Sequence, residues 1–157
     1  MPERASHHRV RVEFGDCDPA QIAYYPNLVA WVDRSTHHMF EAAGVPVRGL
    51  QLTRGLQVPV VGLNVKFFGP AVWGDEIDIE SRIARWGSSS FEVVHHLTNA
   101  ETGACIAHAS ETRVCVKVDP SEPKKLAGHR IPDDVKAAFG PIADSQQRPT
   151  SPPAEPN

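Results

Sequence analysis

Residues Glu13 to Asp33 read EFGDCDPAQIAYYPNLVAWVD. This stretch carries the chain out of a loop and into a helix. Gly15 and the Asp18-Pro19 step punctuate the backbone, so Gly15 to Pro19 is a loop. Order resumes at Pro26-Asn27, because proline suits the first turn of a helix and asparagine can cap one. From there to about Ala43, Leu28, Val32, Ser35, Met39 and Ala42 step by four, three, four and three residues. They form one face, widened by Trp31. Gly44 and Val45-Pro46 stop the helix. It is about 17 residues long, roughly 25 Å at 1.5 Å per residue.

On both sides of this helix the period falls to two. Upstream, Arg9 to Phe14 alternates as a strand, with Val10, Val12 and Phe14 on one face. Downstream, Arg48 to Gly55 reads as a loop, and Leu56 to Phe68 as a strand that Pro59 marks as an edge or a bulge. Glu76 to Arg85 alternates cleanly, with Ile77, Ile79 and Ile83 inward. Phe91 to Thr98 and Ala104 to Val118 follow as strands, separated by turns at Gly87 to Ser89 and Asn99 to Gly103. Asp119 to Lys125 is a loop and Pro132 to Phe139 a short helix, its aspartates near the positive end. Strands in hairpin succession favour an antiparallel sheet, and only one helix is long enough to cover it. The expected class is therefore α+β, with one long helix wrapped by a curved antiparallel sheet. One helix cannot cover every face and edge, so self-association is expected.

The 157 residues suffice for one domain with a real core. Hydrophobic residues at 41% and charged residues at 22% fit a soluble globular chain. A net charge of −3 leaves no basic excess for nucleic acid or an anionic membrane. No apolar run is long enough to span a bilayer, and Met1 to Arg9 has no apolar leader region. Cys17, Cys105 and Cys115 cannot all pair, which points to free thiols in a reducing cytoplasm. The domain is expected over residues 7–140. Residues 141–157 form a proline-rich tail, with four prolines between Ser145 and Asn157 and no large apolar residue, and it is expected to be disordered. Met1 to Ser6 is expected to fray.

Asp16 and Asp18 sit just ahead of a helix start. Such a start presents free N–H groups and a partial positive charge, which can hold a carbonyl oxygen as it becomes an oxyanion. A carboxylate beside it can attack that carbonyl or activate a water. On the residues alone, the reading as loop caps and Asx-turns is the favoured one. Cys17 is a poor nucleophile here, because a thiolate between two carboxylates is disfavoured. His37-His38 and His95-His96 are adjacent pairs that point apart, so no metal site is expected. Ser88 to Ser90 lacks the surroundings of a nucleophile elbow.

FGDCDPAQIAYYPN, residues 14–27, closely resembles the signature of the 4-hydroxybenzoyl-CoA thioesterase family, which has the hot-dog fold. The likeness continues through Trp31-Val32-Asp33, Arg54-Gly55, Pro59, Asn64 and Phe67, and recurs at Trp86 and Ser90-Phe91. The order of elements agrees from about His8 to Phe139. The resemblance implies a helix wrapped by a five-stranded antiparallel sheet, and a homodimer with sites at the subunit interface, often doubled to a dimer of dimers. It implies no cofactor and no metal. Asp18 matches the catalytic carboxylate, as nucleophile or as general base. Tyr25 matches the residue whose backbone N–H polarises the thioester carbonyl. Asp33 matches a position that faces a ring para-hydroxyl. A surface ion pair with Arg34 or a neighbour is its other reading. Tyr24 joins Asp33 in setting acyl selectivity. Asn64 and Ser90 are further candidate substrate contacts, although Asn64 shares a strand face with Lys66, Val58 and Val60 and also reads as a structural residue.

The chain departs from the family pattern at several points. Gln21 replaces a glycine, Tyr24 a tryptophan and Leu28 a tyrosine. Where the family has a basic cluster for the CoA phosphates, Trp86 is followed by Gly87-Ser88-Ser89-Ser90, flanked only by Arg85. Arg113, Lys117 and Lys124-Lys125 are then the alternatives for those phosphates. The expected function is hydrolysis of an aromatic acyl-CoA, of the 4-hydroxybenzoyl or benzoyl kind, to the free acid and CoA in the cytoplasm. A thioesterase for aliphatic acyl-CoA or acyl-carrier-protein, and a non-catalytic acyl-thioester binding module, remain open. A hydratase on the same fold lacks a His/Asp pair in the loop.

Overall fold

The computed structural model describes residues 5–142, so most of the expected tail lies outside the described residues. Strand β1 (Ser6–Arg11) comes first, followed by a 3-10 turn (Phe14–Asp16) and helix α1 (Tyr25–Ala42). Helix α2 (Val47–Arg54) and strands β2 (Leu56–Gln57) and β3 (Val60–Phe67) follow. Then come β4 (Glu76–Trp86), β5 (Ser90–Asn99), β6 (Cys105–Val114), β7 (Val116–Val118), β8 (Leu126–Gly128) and helix α3 (Asp133–Ala138). Five strands make one antiparallel sheet in the order β1-β4-β5-β6-β3, and α1 lies across it. The hot-dog architecture expected from the sequence is thus present. No helix among the described residues is long and apolar enough to cross a membrane.

The alternation of β4 and β5 sends Ile77, Ile79 and Ile83, and Phe91, Val93 and Leu97, under α1. The N-terminal half of α1 packs Leu28, Trp31 and Val32 on Ile77, Ile79, Leu97, Ala107 and Ala109. Its C-terminal half packs Met39 and Phe40 on Ile83, Phe91 and Val93, closed off by Val135 and Phe139 around α3. Each such side chain contributes about 1.5–3 kcal/mol by leaving water. A layer of buried polar residues lies with these two apolar clusters under the middle of the helix: Ser35, Thr36, Ser81, His95, Glu111 and Arg113.

The elements differ from the sequence expectations in several places. Ser6 pairs with Ser81 and opens β1 instead of fraying. Phe14 does not extend β1: the Glu13 N–H donates to Asp16 Oδ2 (2.8 Å), which curls the chain and leaves Phe14 75% exposed. Residues 48–54 are helical, not loop. Only Leu50 of α2 is buried, so no apolar stripe announced it. The segment 56–68 is split at Pro59, and β3 pairs with β6 at the sheet edge while β4 pairs with β1 and β5. Hairpin succession therefore holds only for β4, β5 and β6. The stretch 104–118 breaks at Cys115, and β7 leaves to form a small sheet with β2 and β8.

Candidate active site

Backbone hydrogen bonds shape the loop ahead of α1. The Asp18 N–H donates to Ile22 O (2.9 Å) and the Gln21 N–H to Asp18 O (2.8 Å), closing a tight turn. Gln21 takes a φ of +66°, the left-handed region where glycine is comfortable. The Ala23 N–H donates to Ala71 O (2.7 Å), which ties the loop to the segment between β3 and β4. Two aspartates that look alike in the sequence now separate. Asp16 is structural. Its carboxylate accepts the Glu13 N–H, and its carbonyl accepts both the Tyr24 N–H and the Asn27 side-chain amide (2.8 Å each). Asp18 is half-buried, and only its Oδ1 is held, by the Ala20 N–H at 2.8 Å.

Tyr24 caps α1 and Tyr25 is its first residue, with Pro26 second. Proline brings no N–H, and the Asn27 N–H turns back to Tyr24 O at 2.8 Å. The Tyr25 N–H has no partner among the described residues. The positive end of the helix therefore offers one free donor, and the loop ahead of it a partly free carboxylate. Asn27 is not the cap that the sequence suggested; its amide reaches back to the loop instead.

From Tyr25 a stripe runs down α1 through Val29 to Asp33 at helical spacing. Beside it, the register of β3 sets Leu63 opposite Glu111, Val65 opposite Ala109 and Phe67 opposite Ala107, on the face that meets α1. The Tyr25 and Phe67 rings stand 6.3 Å apart, edge to face. Leu63 and Phe67 remain exposed, so the line between α1 and β3 has an apolar and open flank.

Asp33 closes the far end of this line. Its Oδ1 accepts from Arg113 Nη2 at 2.6 Å, so the pair expected with a surface neighbour forms with a buried guanidinium. Arg113 also donates to Glu111 Oε1 (2.8 Å) and Val58 O (3.1 Å). Glu111 Oε2 accepts from Thr36 (2.6 Å) and His95 (3.1 Å), and His95 Nδ1 meets the Ser81 hydroxyl at 2.7 Å. Burial alone would push the Glu111 carboxyl up. Hydrogen bonds from His95, Arg113 and Thr36, with the Arg113 charge, overcome this and hold it at about 2. Burial opposes the Arg113 charge too, but Glu111 and Asp33 outweigh it and raise its pKa. Ser81, His95 and Glu111 have the composition of a nucleophile relay, yet they are 1%, 0% and 2% exposed. No substrate reaches them there, and the cluster is structural.

Of the candidate residues, Asp18, Tyr24 and Tyr25 belong to the loop and first turn of α1, the mouth of the candidate site, and Asp33 lies two turns along the helix. Asn64 opposes Ser110 and Lys66 opposes His108, on the outer face of the sheet away from α1. A bulge between Val60 and Gly62 puts Val60 opposite Arg113, so Val60 does not share their face. Ser90 opposes Val114 at the turn end of the sheet, and its carbonyl accepts the Gly87 N–H at 2.6 Å. A single chain does not bring Asn64 or Ser90 beside Asp18. Arg113 is occupied in the core and is not free for a phosphate. At the bare turn after Trp86, α3 supplies Lys136, whose Nζ donates to Gly87 O at 2.9 Å. The sequence reading missed the buried cluster. The signal was there, since Ala107, Ala109, Glu111, Arg113 and Cys115 alternate onto one face. No group of metal ligands exists among the described residues.

These features can be set against known proteins. The model of the thioesterase-like superfamily matches residues 12–139. The 4-hydroxybenzoyl-CoA thioesterase of Pseudomonas sp. (strain CBS-3) is 33% identical over 129 residues, covering 79% of this chain and 89% of that one. The 1,4-dihydroxy-2-naphthoyl-CoA hydrolase of Trichodesmium erythraeum (strain IMS101) is 27% identical over 122 residues, covering 77% and 88%. A crystal structure of a 4-hydroxybenzoyl CoA thioesterase mutant complexed with 4-hydroxybenzoyl CoA superposes with a TM-score of 0.79 at 30% identity, covering 87% of this chain and 99% of that one. The chain belongs to the thioesterase-like superfamily. Within it the chain falls in the 4-hydroxybenzoyl-CoA thioesterase family, and it is a thioester hydrolase.

Proposed function

We propose that this acyl-CoA thioesterase acts on an aromatic acyl group of the 4-hydroxybenzoyl or benzoyl kind, releasing the free acid and CoA. What supports the reading is that one loop-to-helix segment carries both an Asp18 carboxylate with only one oxygen held and an unpaired Tyr25 N–H at the start of α1. The thioester carbonyl oxygen accepts from that N–H, and the donor strengthens as negative charge develops on the oxygen. Asp18 attacks the carbonyl carbon, or takes a proton from a water that does. The C–S bond then breaks, sulfur leaves as the CoA thiolate and gains a proton, and the oxygen of water ends in the acid. Tyr24 and Asp33 bound the acyl group and set its selectivity. The aromatic preference is supported by the aromatic substrates named for the relatives and by Tyr24, Tyr25 and Phe67 around the mouth.

The site is proposed to be completed by a second copy. Strand β3 is a sheet edge with Val61, Leu63 and Phe67 exposed, an arrangement that invites pairing with another chain. Asn64 and Ser90 enter this reading as contacts delivered by another subunit of a dimer or dimer of dimers. The free thiols of Cys17, Cys105 and Cys115 support a cytoplasmic setting. No metal, cofactor or nucleic acid takes part.

A hydrolysis panel of benzoyl-, 4-hydroxybenzoyl-, dihydroxynaphthoyl-, hexanoyl- and palmitoyl-thioesters, on CoA and on carrier protein, tests substrate class and activity together. Aromatic acyl-CoA is expected to lead. A lead for aliphatic or carrier-protein thioesters would replace the aromatic assignment, and ligand binding without thiol release would replace the catalytic one. Light scattering reads the oligomer, and a monomer at assay concentration would remove the shared site.

A further inference from the structure

Half of the Asp33 carboxylate is committed and half is not. Oδ1 is held by Arg113 Nη2 at 2.6 Å. Oδ2 lies 3.8 Å from His37 Nε2, beyond hydrogen-bond reach, and the side chain as a whole is 51% exposed. The guanidinium behind it cannot swing. It is buried, and it reaches Val58 O at 3.1 Å and Glu111 Oε1 at 2.8 Å. Glu111 is gripped in turn by Thr36 of α1 and His95 of β5. Buried ion pairs add little to stability over a well-packed apolar substitute. What this one does is fix one carboxylate oxygen on the wall of the α1–β3 line. Asp33 stands eight residues after Tyr25, about 12 Å along the axis, and helix side chains lean toward the N-terminus. The proposed function sets the acyl group between the Tyr25 N–H and Asp33, so on that reading the Asp33 carboxylate is the polar group toward its distal end. A carboxylate oxygen only accepts, so it favours a hydroxyl there over an ether or a bare ring edge.

We propose that Arg113 is a positioning residue for acyl selectivity: by clamping Asp33 Oδ1 it holds Oδ2 as a preorganised acceptor for a hydrogen-bond donor at the distal end of the acyl group. The proposal rests on the reading of the Asp18–Tyr25 mouth as the thioester site. Arg113 itself touches no substrate.

The test is steady-state hydrolysis of 4-hydroxybenzoyl-, 4-methoxybenzoyl- and benzoyl-CoA by the full chain. The wild type is expected to prefer the hydroxylated thioester. Asp33→Asn and Arg113→Lys are each expected to shrink the 4-hydroxybenzoyl to benzoyl ratio of kcat/KM by roughly 10- to 100-fold, the range for a charge-assisted hydrogen bond. Because the two act as one unit, the double variant should lose no more than either alone. If Arg113→Lys does not fold, Glu111→Gln/Arg113→Gln removes both buried charges together, orphans neither, and should collapse the same ratio. A merely structural role would lower all three substrates alike, and that result overturns the proposal. So does a shift with Asp33→Asn that neither Arg113 variant shares. A wild type that hydrolyses the panel in an Asp18-dependent way without preferring the hydroxyl overturns this proposal alone. A wild type inactive on every thioester overturns the reading of the mouth as well.

Discussion

The first turn of α1 and its middle turns contrast in how they treat polar groups. At the first turn, the Tyr25 N–H has no partner, Asp18 keeps an oxygen free, and Gln21 sits in a strained backbone region. At the middle turns, no buried side-chain nitrogen or oxygen among the described residues lacks a hydrogen bond. Thr36, Glu111, His95, Ser81 and Arg113 satisfy one another away from water. The same helix thus carries an unfinished end and a finished centre. Unsatisfied donors and local strain cost stability, so they persist where another molecule completes them, while the sealed layer keeps the helix in register with the sheet.

The contrast is broken most directly at the mouth. Asp18→Asn is expected to cut turnover by orders of magnitude with the fold intact, measured as thiol release beside circular dichroism. Near-normal hydrolysis by a folded variant would remove the chemical difference between the two regions. At the centre, Glu111→Ala is expected to cost about 3–5 kcal/mol in urea denaturation, because it leaves a buried guanidinium short of its partner. A loss below ~1 kcal/mol would mean that the layer tolerates an orphan and is not sealed. Acid sharpens the same point. The folded pKa of Glu111, about 2, lies below its ordinary value of 4.5, so the folded state binds this proton less readily than the unfolded one. Its stabilisation is full above about pH 4.5 and is lost as pH falls toward 2, on the order of 3 kcal/mol. In Glu111→Gln the unfolding profile should flatten over that window. The smallest effect belongs to the loop. Gln21→Gly relieves a left-handed residue but frees the unfolded chain, for a net gain of about 1 kcal/mol in thermal unfolding. A loss would show that the Gln21 side chain holds the turn.

Much of this is legible in the sequence alone. The step pattern of Leu28, Val32 and Met39 gave the buried side of α1, and the alternation around Ile77 and Ile79 gave the inward face of β4. Local signals failed where partners are distant. Nothing in Val60 to Phe67 says that β3 pairs with β6 and not β4, because alternation fixes a face and not a neighbour. Helix α2 hid because a single buried Leu50 makes no period. At the mouth, the loop and helix start were readable from Gly15, Pro19 and Pro26. The division of labour between Asp16 and Asp18 was not, because it depends on which backbone N–H each carboxylate meets.

By itself the sequence determined the long helix, the alternating faces of β4 to β6 and the acidic loop before a helix start, since these follow from periods and punctuation within a few residues. The tertiary structure alone decided that Arg113 reaches Asp33 across 80 positions of chain. It also decided that Lys136 comes to the turn after Trp86, and that β3 is left as an open edge. Each of these is a meeting of groups far apart in the chain, and only packing of the helix on the sheet brings such groups within the reach of a hydrogen bond.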